Sequence, residues 1–528
     1  MVSSKTSSSA KIPRFYAGRS IFITGGTGFV GKVLIERLLS TCPDIGKLFL
    51  LLRQKKDVEP EKRLLQIKQS PVFDVLRQTN PSQLEKLIII PGDISLPLLG
   101  MSVESLTMLH EVSIVFHSAA TVKFDEQLKV AVDQNVRPVI RLLDICDRLP
   151  KMEAFIHVST AYSNSDHETI EERVYPAPAP VHEILALADS APPHLLNEII
   201  TKYISPKPNT YTFTKSIAEN VIMEHGNRGY SIAIFRPTII ISSLKYPFPG
   251  WIENLNGPSG LAVAAGKGLL HVFSCKFDGK ADLLPVDIAA DTLIAVGWAT
   301  AVYRFPEVRV YNCSTIENST TWNSFEAAIR VFLRSRPLDE IFWYPSGFIV
   351  QNEYLDKILT FTLQTLPFYA IEFVSRLLRI QTKIDLIKVD QKLRGMCNVL
   401  KFFSMREWTF ETTNFRLLRE QLSKADAEIY NLDPHSIDWQ QLYYNFSLGV
   451  RRYLLKEKDQ DLEKAKRRLH RMSVLHHGLI IIGVLLFLRF LLNKPLIRQF
   501  TFETVRMLMN LSFSTYEKIG RSYKQVVV

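Results

Sequence analysis

The amino-acid sequence predicts an α/β fold: a doubly wound parallel sheet with substrate-binding insertions, then a helical C-terminal domain and a hydrophobic, membrane-associating segment. Short apolar runs alternate with helical stretches from residue 19 to about residue 150. This alternation fades after about residue 322, and residues 474–492 are largely apolar. Alternating strands and helices are typical of a parallel sheet covered by helices. Because 528 residues exceed one ordinary domain, two folded units and an appendage are expected.

The predicted elements of the first unit follow one another in the order that a parallel sheet requires. Strands are predicted at residues 21–23, 47–52, 87–90, 114–116, 154–158 and 231–235, and helices at 32–39, 130–146 and about 211–225. The proline-rich stretch 174–208 breaks this order and is predicted to be an insertion near the site rather than part of the sheet. Such insertions commonly shape the access of a substrate.

A glycine-rich turn follows the first strand, where residues 24–31 read Thr-Gly-Gly-Thr-Gly-Phe-Val-Gly. Alone, this pattern also fits a plain turn. Between a strand and a helix it predicts a Rossmann-type dinucleotide site. Gly25 permits the tight turn, Gly28 lets the backbone approach a phosphate, and Gly31 lets the helix pack on the strand. The helix N-terminus would then bind the pyrophosphate through its free N–H groups.

Cations follow the second strand, at the position where NAD-binding proteins carry a carboxylate. Arg53, Lys55 and Lys56 would attract a 2′-phosphate that a carboxylate would repel. A solvated basic loop is the competing interpretation of these charges. Because the glycine turn fixes this position relative to the nucleotide, the sequence predicts NADPH as the cofactor.

Other predicted cofactor contacts lie at the ends of later strands. Asp93 is placed to accept a hydrogen bond from an adenine amine, and the small Ala119 and Ala120 leave room for the nucleotide. The complete predicted cofactor-binding set is Thr24, Gly25, Gly28, Phe29, Val30, Gly31, Arg53, Asp93, Ile94, Ala119, Ala120, Tyr211, Lys215 and Pro237.

Tyr211 and Lys215 lie four residues apart in a predicted helix and therefore share one face. The ammonium is predicted to lower the pKa of the Tyr211 phenol, which can then give a proton to a carbonyl oxygen as hydride arrives. Ser159 and Thr160 follow the strand 154–158 and offer a hydroxyl to the same oxygen. A Tyr–Lys pair at this spacing is common in helices by chance. The glycine turn and the Ser–Thr pair favour the catalytic interpretation.

Together these motifs resemble the extended short-chain dehydrogenase/reductase superfamily, and the wider pattern resembles the fatty acyl-CoA reductases of animals. Supporting stretches occur in family order at residues 117–124, 135–136, 235–238, 249–258 and 284–287, within a resemblance that covers about residues 15–470. The resemblance implies that Tyr211 is the acid, that Lys215 activates it and that Thr160 is the second hydroxyl donor, with Ser159 the weaker choice. It also implies reduction of long-chain or very-long-chain acyl-CoA to a primary alcohol, by two hydride transfers from NADPH through an aldehyde, with release of CoA.

Alternative functions stay open at this stage. One is a sterol-type or sugar-nucleotide dehydrogenase or epimerase of the same superfamily, although the acidic residue preferred by NAD-using epimerases is absent after the second strand. Another is a catalytically silent, NADPH-sensing membrane scaffold, which would have no need for Tyr211 and Lys215. A third is a reductase that stops at the aldehyde. Retaining an aldehyde needs a closed apolar tunnel, whose candidate walls are Phe248, Trp251 and residues 361–373.

The second half of the chain is predicted to be helical and membrane-seeking. Charged residues interrupt the apolar segment 361–378, which fits a buried or interfacial helix better than a spanning one. Residues 474–492 approach the length that a helix needs to cross a bilayer, although a hairpin, a buried helix or an interfacial helix is an alternative. Basic residues between Arg451 and Arg471 would hold the preceding domain on the cytosolic face.

The predicted organisation and partners follow from these patterns. The predicted units are a polar tail (1–15), a reductase domain (16–320), a helical domain (321–472), a transmembrane segment (473–492) and a C-terminal tail (493–528). The net charge of +11 suits anionic ligands or a membrane surface, and no module for reading nucleic acid accompanies it. Five scattered cysteines predict a reduced compartment and no metal site. The resemblance implies a peroxisomal or endoplasmic-reticulum membrane, and the sequence leaves a homo-oligomer open.

Overall fold

A computed structural model describes residues 10–53, 58–379 and 385–493, together with residues 503, 506 and 507. Its strands are β1 (Ser20–Thr24), β2 (Leu48–Leu52), β3 (Leu87–Pro91), β4 (Val112–His117), β5 (Ala154–Val158), β6 (Thr169–Ile170), β7 (Ser231–Pro237), β8 (Ile239–Ile241), β9 (Val272–Ser274), β10 (Lys280–Ala281), β11 (Leu283–Pro285), β12 (Arg309–Cys313), β13 (Thr320–Thr321), β14 (Phe348–Val350) and β15 (Thr409–Phe410). Seven of these strands form one parallel sheet in the order β12-β7-β5-β4-β1-β2-β3. The order reverses between β1 and β4, which confirms the doubly wound prediction and marks the crevice where such folds bind ligands.

Helices cover both faces of this sheet and build the second half of the chain. In the first half they are α1 (Lys11–Tyr16), α2 (Phe29–Thr41), α3 (Pro60–Lys68), α4 (Asp74–Thr79), α5 (Val103–Met108), α6 (Leu128–Asn135), α7 (Arg137–Cys146), α8 (Val181–Ser190), α9 (Pro193–Tyr203), α10 (Thr210–His225), α11 (Pro258–Gly266) and α12 (Val286–Tyr303). In the second half they are α13 (Trp322–Ser335), α14 (Glu353–Thr360), α15 (Leu366–Leu377), α16 (Leu386–Ser404), α17 (Thr413–Gln421), α18 (Lys424–Ile429), α19 (Trp439–Gly449) and α20 (Leu462–Leu492).

The core forms on the two faces of the sheet because successive side chains of a strand point to opposite faces. Ile21 and Ile23 of β1 pack in one cluster with α2 and α12, whereas Phe22 packs in the other with α6, α7 and α10. All five residues of β1 and of β2 are buried. Burial on both faces explains why these strands are continuous apolar runs in the sequence.

The structure corrects one predicted element and gives form to another. The single helix predicted at residues 130–146 is two helices, α6 and α7, which meet at Val136. Pro138 lies in the first turn of α7, where its missing N–H is tolerated but where it could not continue α6. The predicted insertion 174–208 contains α8 and α9 and no strand. Its end lies close to the sheet, since Lys207 Nζ donates to Asn164 Oδ1 at 2.9 Å.

The two ends of the chain are described only in part. Within the predicted polar tail, α1 begins at Lys11, and its first N–H groups donate to Asp426. Residues 1–9 and nearly all of the predicted C-terminal tail lie outside the described residues. Three described helical stretches are long and apolar enough to cross a membrane: Val286–Tyr303, Glu353–Leu377 and Asp459–Leu491. The first, α12, is a buried core helix, whereas the third has no buried residue in its apolar window.

Candidate active site

A cavity of about 1110 Å³ opens where the carboxyl ends of the parallel strands meet. Its walls include residues that directly follow β1, β2, β3, β4, β5 and β7. The cavity brings together every predicted catalytic residue and every predicted cofactor-binding residue except Thr24. Thr24 lies one layer deeper, where its hydroxyl contacts His117 Nδ1 at 2.7 Å and accepts from the Ala119 N–H at 3.2 Å.

The glycine turn between β1 and α2 has the geometry that close approach to a phosphate requires. Gly25 has a φ of +77°, and a Cβ there would lie 2.7 Å from the Ala119 nitrogen. A Cβ at Gly31 would lie 2.3 Å from the Gly25 carbonyl oxygen. No side chain caps the N-terminus of α2, and its first residues, Phe29, Val30 and Gly31, line the cavity. These residues fit the pyrophosphate of a dinucleotide.

Two arginines lie at the end of the cavity beside β2. Arg53 is exposed after β2, and Arg63 of α3 donates from Nη1 to the Arg53 carbonyl. Partial burial and the neighbouring Arg53 charge lower the pKa of Arg63. The predicted Lys55 and Lys56 lie outside the described residues. Arg63 was not among the predicted residues, because it belongs to the following helix, ten residues beyond Arg53.

The reacting groups lie on one face of α10 and at the end of β5. Asn209 caps α10 by accepting from the Thr212 N–H at 2.9 Å, which starts the helix just before Tyr211. Lys215, one turn further, is buried and donates from Nζ to the Val158 carbonyl at 2.7 Å. The Tyr211 hydroxyl is hydrogen-bonded to Thr160. One face of α10 therefore presents a phenol and an ammonium beside a second hydroxyl.

Burial controls the protonation of both α10 groups. It raises the pKa of Tyr211 to about 12, and the hydrogen bond with Thr160 opposes this shift. The predicted lowering of the Tyr211 pKa is therefore wrong as a net shift, because desolvation of the phenolate dominates. Burial also lowers the pKa of Lys215 to about 8, while the charge of Glu219 raises it. At neutral pH Tyr211 is thus a neutral phenol that can donate a proton, and Lys215 stays charged.

Ser159 and Thr160 have different partners, although they are neighbours in the chain. The Ser159 hydroxyl donates to Glu219 Oε1 at 2.5 Å, so Thr160 alone of this pair is bonded to Tyr211. Glu219 also accepts from Arg236 Nε at 2.9 Å and from Arg236 Nη2 at 2.6 Å. Glu219 and Arg236 were not predicted to have a role in the site. The spacing of Glu219, four residues after Lys215 on α10, was the available signal.

The second half of the chain supplies one wall of the cavity. This wall comes from α16, whose cavity-lining residues are Gly395, Met396, Val399, Leu400, Phe403 and Ser404. The Phe403 ring lies 5.5 Å from the Phe124 ring, which in turn lies 5.6 Å from the ring of Tyr211. Phe248, Trp251 and residues 361–373, the predicted tunnel walls, do not line the cavity. Phe248 and Trp251 instead pack against Tyr453, and Phe368 packs in a cluster with Leu386 and Leu393 of α16.

Metal ligands are not assembled in the part of the chain that the structure describes. Within those residues, no group of three or more His, Cys, Asp and Glu side chains could hold a metal ion.

Comparisons with known proteins agree with this geometry. Residues 23–293 match an NAD-binding family model described as male sterility protein, and residues 363–457 match a second model with the same description. The terminal reductase domain of the myxalamid biosynthetic pathway has a TM-score of 0.54 and 16% identity, over 82% of this chain and 90% of that one. The reductase domain of a nonribosomal peptide synthetase from Mycobacterium tuberculosis has a TM-score of 0.53, over 82% and 91%. These two likenesses show the fold.

Curated relatives extend the likeness to nearly the whole chain. Fatty acyl-CoA reductase 1 of Xenopus laevis is 35% identical over 94% of this chain and 96% of its own length. Fatty acyl-CoA reductase 2 of Bos taurus is 36% identical over 88% and 90%. Fatty acyl-CoA reductase wat of Drosophila melanogaster is 35% identical over 88% and 89%. The chain, with its dinucleotide cradle and its Tyr211, Lys215 and Thr160 constellation, belongs to the fatty acyl-CoA reductase family.

Proposed function

We propose that this protein reduces long-chain or very-long-chain fatty acyl-CoA to primary fatty alcohols with NADPH and releases CoA. The observation that carries the proposal is the set of residues that line one cavity. It includes the glycine turn and Arg53, the reacting groups Tyr211 and Thr160, and an apolar wall from α16. A dinucleotide, a reacting carbonyl and a hydrocarbon chain could therefore share one continuous space.

The chemistry of the first reduction follows from the reacting groups in the cavity. A reduced nicotinamide, when bound there, supplies a hydride for the thioester carbon. The Tyr211 hydroxyl donates its proton to the carbonyl oxygen, and Thr160 holds that hydroxyl in place. The Lys215 ammonium stabilises the phenolate that remains. The phenolate then regains its proton from solvent.

Two reductions balance the overall reaction. The first gives a hemithioacetal, whose C–S bond breaks as its hydroxyl loses a proton to solvent, which expels CoA thiolate and leaves an aldehyde. The thiolate takes up a proton from solvent to give the CoA thiol. The second adds another hydride to the aldehyde carbon, and Tyr211 again protonates the oxygen to give the alcohol. In total, one thioester takes up two hydrides and two protons and gives one alcohol and one CoA thiol. Because the same groups serve both steps, one site is enough.

The preference for NADPH is expected to depend on the two arginines beside β2. Replacing Arg53 and Arg63 together with alanine removes the cations that would bind a 2′-phosphate. The NADPH-to-NADH ratio of kcat/KM should fall by about tenfold or more, since a hydrogen bond to a charged group contributes about 1.5–3 kcal/mol. Steady-state kinetics with both cofactors measure the ratio. Arg330→Ala on the exposed surface of α13 is the control, and equal losses with both cofactors would contradict the assignment.

The acyl-chain length is expected to depend on Gly395 of α16. Gly395 lines the cavity, and a Cβ at this position would meet no atom within 4 Å, so we expect a larger side chain to occupy part of the cavity. Gly395→Leu should shift the products toward shorter alcohols, at about 0.8 kcal/mol for each methylene group that loses its place. Product profiling from a mixture of acyl-CoAs measures the shift. Gly395→Ala is the matched control, and an unchanged profile in Gly395→Leu would place the chain elsewhere.

We further propose that residues 16–320 carry the dinucleotide and the reacting groups, that residues 321–472 supply the acyl wall, and that residues 473–492 span the membrane. The exposed apolar side chains of α20 support the last assignment. The basic residues from Arg451 to Arg471 precede this segment and favour a cytosolic location for the catalytic part. The site itself lies entirely in the part that precedes α20.

The experiment that tests the proposed function is a product analysis. Membranes that carry the protein are incubated with NADPH and a mixture of saturated acyl-CoAs of different lengths, and the lipids are analysed by mass spectrometry. Fatty alcohol that depends on the protein supports the proposal and gives the chain length. Aldehyde alone would indicate a reductase that stops after one hydride. The absence of both products would overturn the proposal and favour a sterol-type dehydrogenase or a silent scaffold.

A further inference from the structure

A second apolar surface lies outside the cavity, on the α14–α15 helix. We use this name for the continuous helix that α14, the π-helical turn Phe361–Thr365 and α15 form together. Phe373 and Leu377 are 68% and 70% exposed. The other large apolar side chains exposed on the α14–α15 helix are Tyr354, Leu355, Ile358, Phe361, Leu363, Leu366, Tyr369, Ile371 and Val374. Continuous apolar patches of this kind are rare on soluble surfaces and mark sites that contact lipid or another protein.

The opposite face of the α14–α15 helix packs against the rest of the protein. Phe368 is buried, and its ring lies 5.8 Å from the ring of Phe342. Gln364 is also buried and donates from Nε2 to Asp390 Oδ1 on α16 at 3.0 Å. A helix held in this way on one side cannot cross a bilayer as a free helix, although its length and composition would permit a span. Its two-sided character is that of a helix lying in a membrane interface.

The α14–α15 helix lies beside the point where α20 leaves the body of the protein. Phe342 contacts this helix, and its neighbour in the chain is Trp343. Trp343 donates from Nε1 to His476 Nδ1 of α20 at 3.1 Å. The Tyr344 ring stacks on the His476 ring at 5.2 Å. Beyond this contact, residues 479–490 of α20 are exposed and almost entirely apolar. A bilayer that receives α20 would therefore begin close to residues 342–344, the same segment that packs against the α14–α15 helix.

We propose that the outer face of the α14–α15 helix is immersed in the leaflet that α20 enters, as a second membrane attachment parallel to the surface. Interfacial helices of this type bury their apolar face about 5–10 Å into the boundary between headgroups and acyl chains. The occupant of the exposed face is thus lipid hydrocarbon rather than a second copy of the chain. The link to α20 through residues 342–344 and the packing of Phe368 against α16 give the α14–α15 helix a defined place in the bilayer.

This attachment would place the cavity within one helix of the lipid. The side chains Leu386 and Leu393 of α16 pack in a cluster with Phe368 of the α14–α15 helix. Val399 and Leu400 of the same helix line the cavity. If the proposed function holds, an acyl chain can pass from the leaflet to the cavity beside α16 while its CoA stays in water. This consequence rests on the proposed reduction of acyl-CoA, whereas the immersion of the α14–α15 helix rests only on the insertion of α20 in the bilayer.

Quenching of a fluorophore on the protein by brominated lipid tests the immersion without any measurement of turnover. The full-length protein is reconstituted in phosphatidylcholine vesicles, with Cys397→Ser removing the one native cysteine that is not buried in the described structure. Phe373→Cys and, separately, Leu377→Cys carry an environment-sensitive fluorophore. Val103→Cys on α5, where the native valine is 75% exposed, is the matched control. The same samples are prepared with brominated phosphatidylcholine as the quencher.

The expected result is loss of fluorescence at positions 373 and 377 in brominated vesicles, with none at position 103. Two labelled positions keep the test decisive if one variant fails to fold. Fluorescence at 373 and 377 that resists the brominated lipid as fully as at 103 would overturn the proposal. The same result would be seen if a second copy of the chain covered the α14–α15 helix. Crosslinking through the unlabelled cysteines at positions 373 and 377 would reveal such a copy. A protein that makes no alcohol can still show quenching, so failure of the proposed function is distinguishable from failure of this inference.

Discussion

Replacing Tyr211 with phenylalanine is expected to reduce turnover by about 10²–10⁴-fold, the contribution that a positioned general acid typically makes. The substitution keeps the ring that packs 5.6 Å from Phe124 and removes only the hydroxyl bonded to Thr160. The nucleotide should still bind, because the glycine turn and the arginines beside β2 are untouched. The loss should therefore appear in kcat, with little change in the affinity for NADPH.

Two measurements on the same samples check this expectation. Alcohol formation from acyl-CoA gives kcat, and the fluorescence of bound NADPH gives the affinity of the cofactor. Tyr444→Phe on the exposed part of α19 is the matched control, since it also removes one phenolic hydroxyl but lies outside the cavity. Full activity in Tyr211→Phe would refute the assigned role. A large loss of NADPH binding would instead show that Tyr211 mainly holds the cofactor.

Replacing Glu219 with glutamine is expected to cost about 3–5 kcal/mol of folding free energy, because it leaves the Arg236 charge buried without its counter-charge. The side chains of Arg236 and Glu219 are 0% and 1% exposed, and the carboxylate also accepts from Ser159 and Ser163. Arg236 donates further to the Glu171 and Arg173 carbonyls, so it cannot turn toward solvent without breaking those bonds. The pair thus joins α10, which carries Tyr211 and Lys215, to β7 of the sheet.

Urea denaturation of the detergent-solubilised protein measures this effect. Glu326→Gln provides the control, because it breaks an exposed pair with Arg330 and exposed pairs contribute only about 0.2–1 kcal/mol. A variant at Glu219 that unfolds at the same urea concentration as the control would contradict the prediction. Replacing both partners with apolar residues should recover part of the loss, since two uncharged side chains leave no isolated buried charge.

Much of the fold and part of the candidate site could be predicted from the sequence because their signals are local. The strand β5 has the predicted bounds 154–158, and the glycine turn joins β1 to α2 as expected. Tyr211 and Lys215 share one face of α10 because the helical period alone places residues four apart together. The division of the predicted 130–146 helix at Val136 was missed, although Pro138 was visible. A proline near an apolar periodic run can begin a second helix as well as end the first.

Contacts between distant parts of the chain decided the rest. Arg63, Glu219 and Arg236 entered the site through neighbours that are separated from them in the sequence. The choice of α16 as the apolar wall, instead of residues 361–373, also depended on how the second half packs. Both segments are apolar, and hydrophobicity alone states that a face is buried without stating against what.

By itself the sequence determined the parallel sheet, the dinucleotide turn and the residue types that carry the chemistry, since each is written in consecutive residues or in one helical period. Only the tertiary structure decided that Thr160 rather than Ser159 is bonded to Tyr211, and that Ser159 faces Glu219. It also decided that burial raises rather than lowers the pKa of Tyr211. The physical reason is that hydrogen-bond partners and desolvation depend on which distant segments surround a group, and a local pattern carries no record of them.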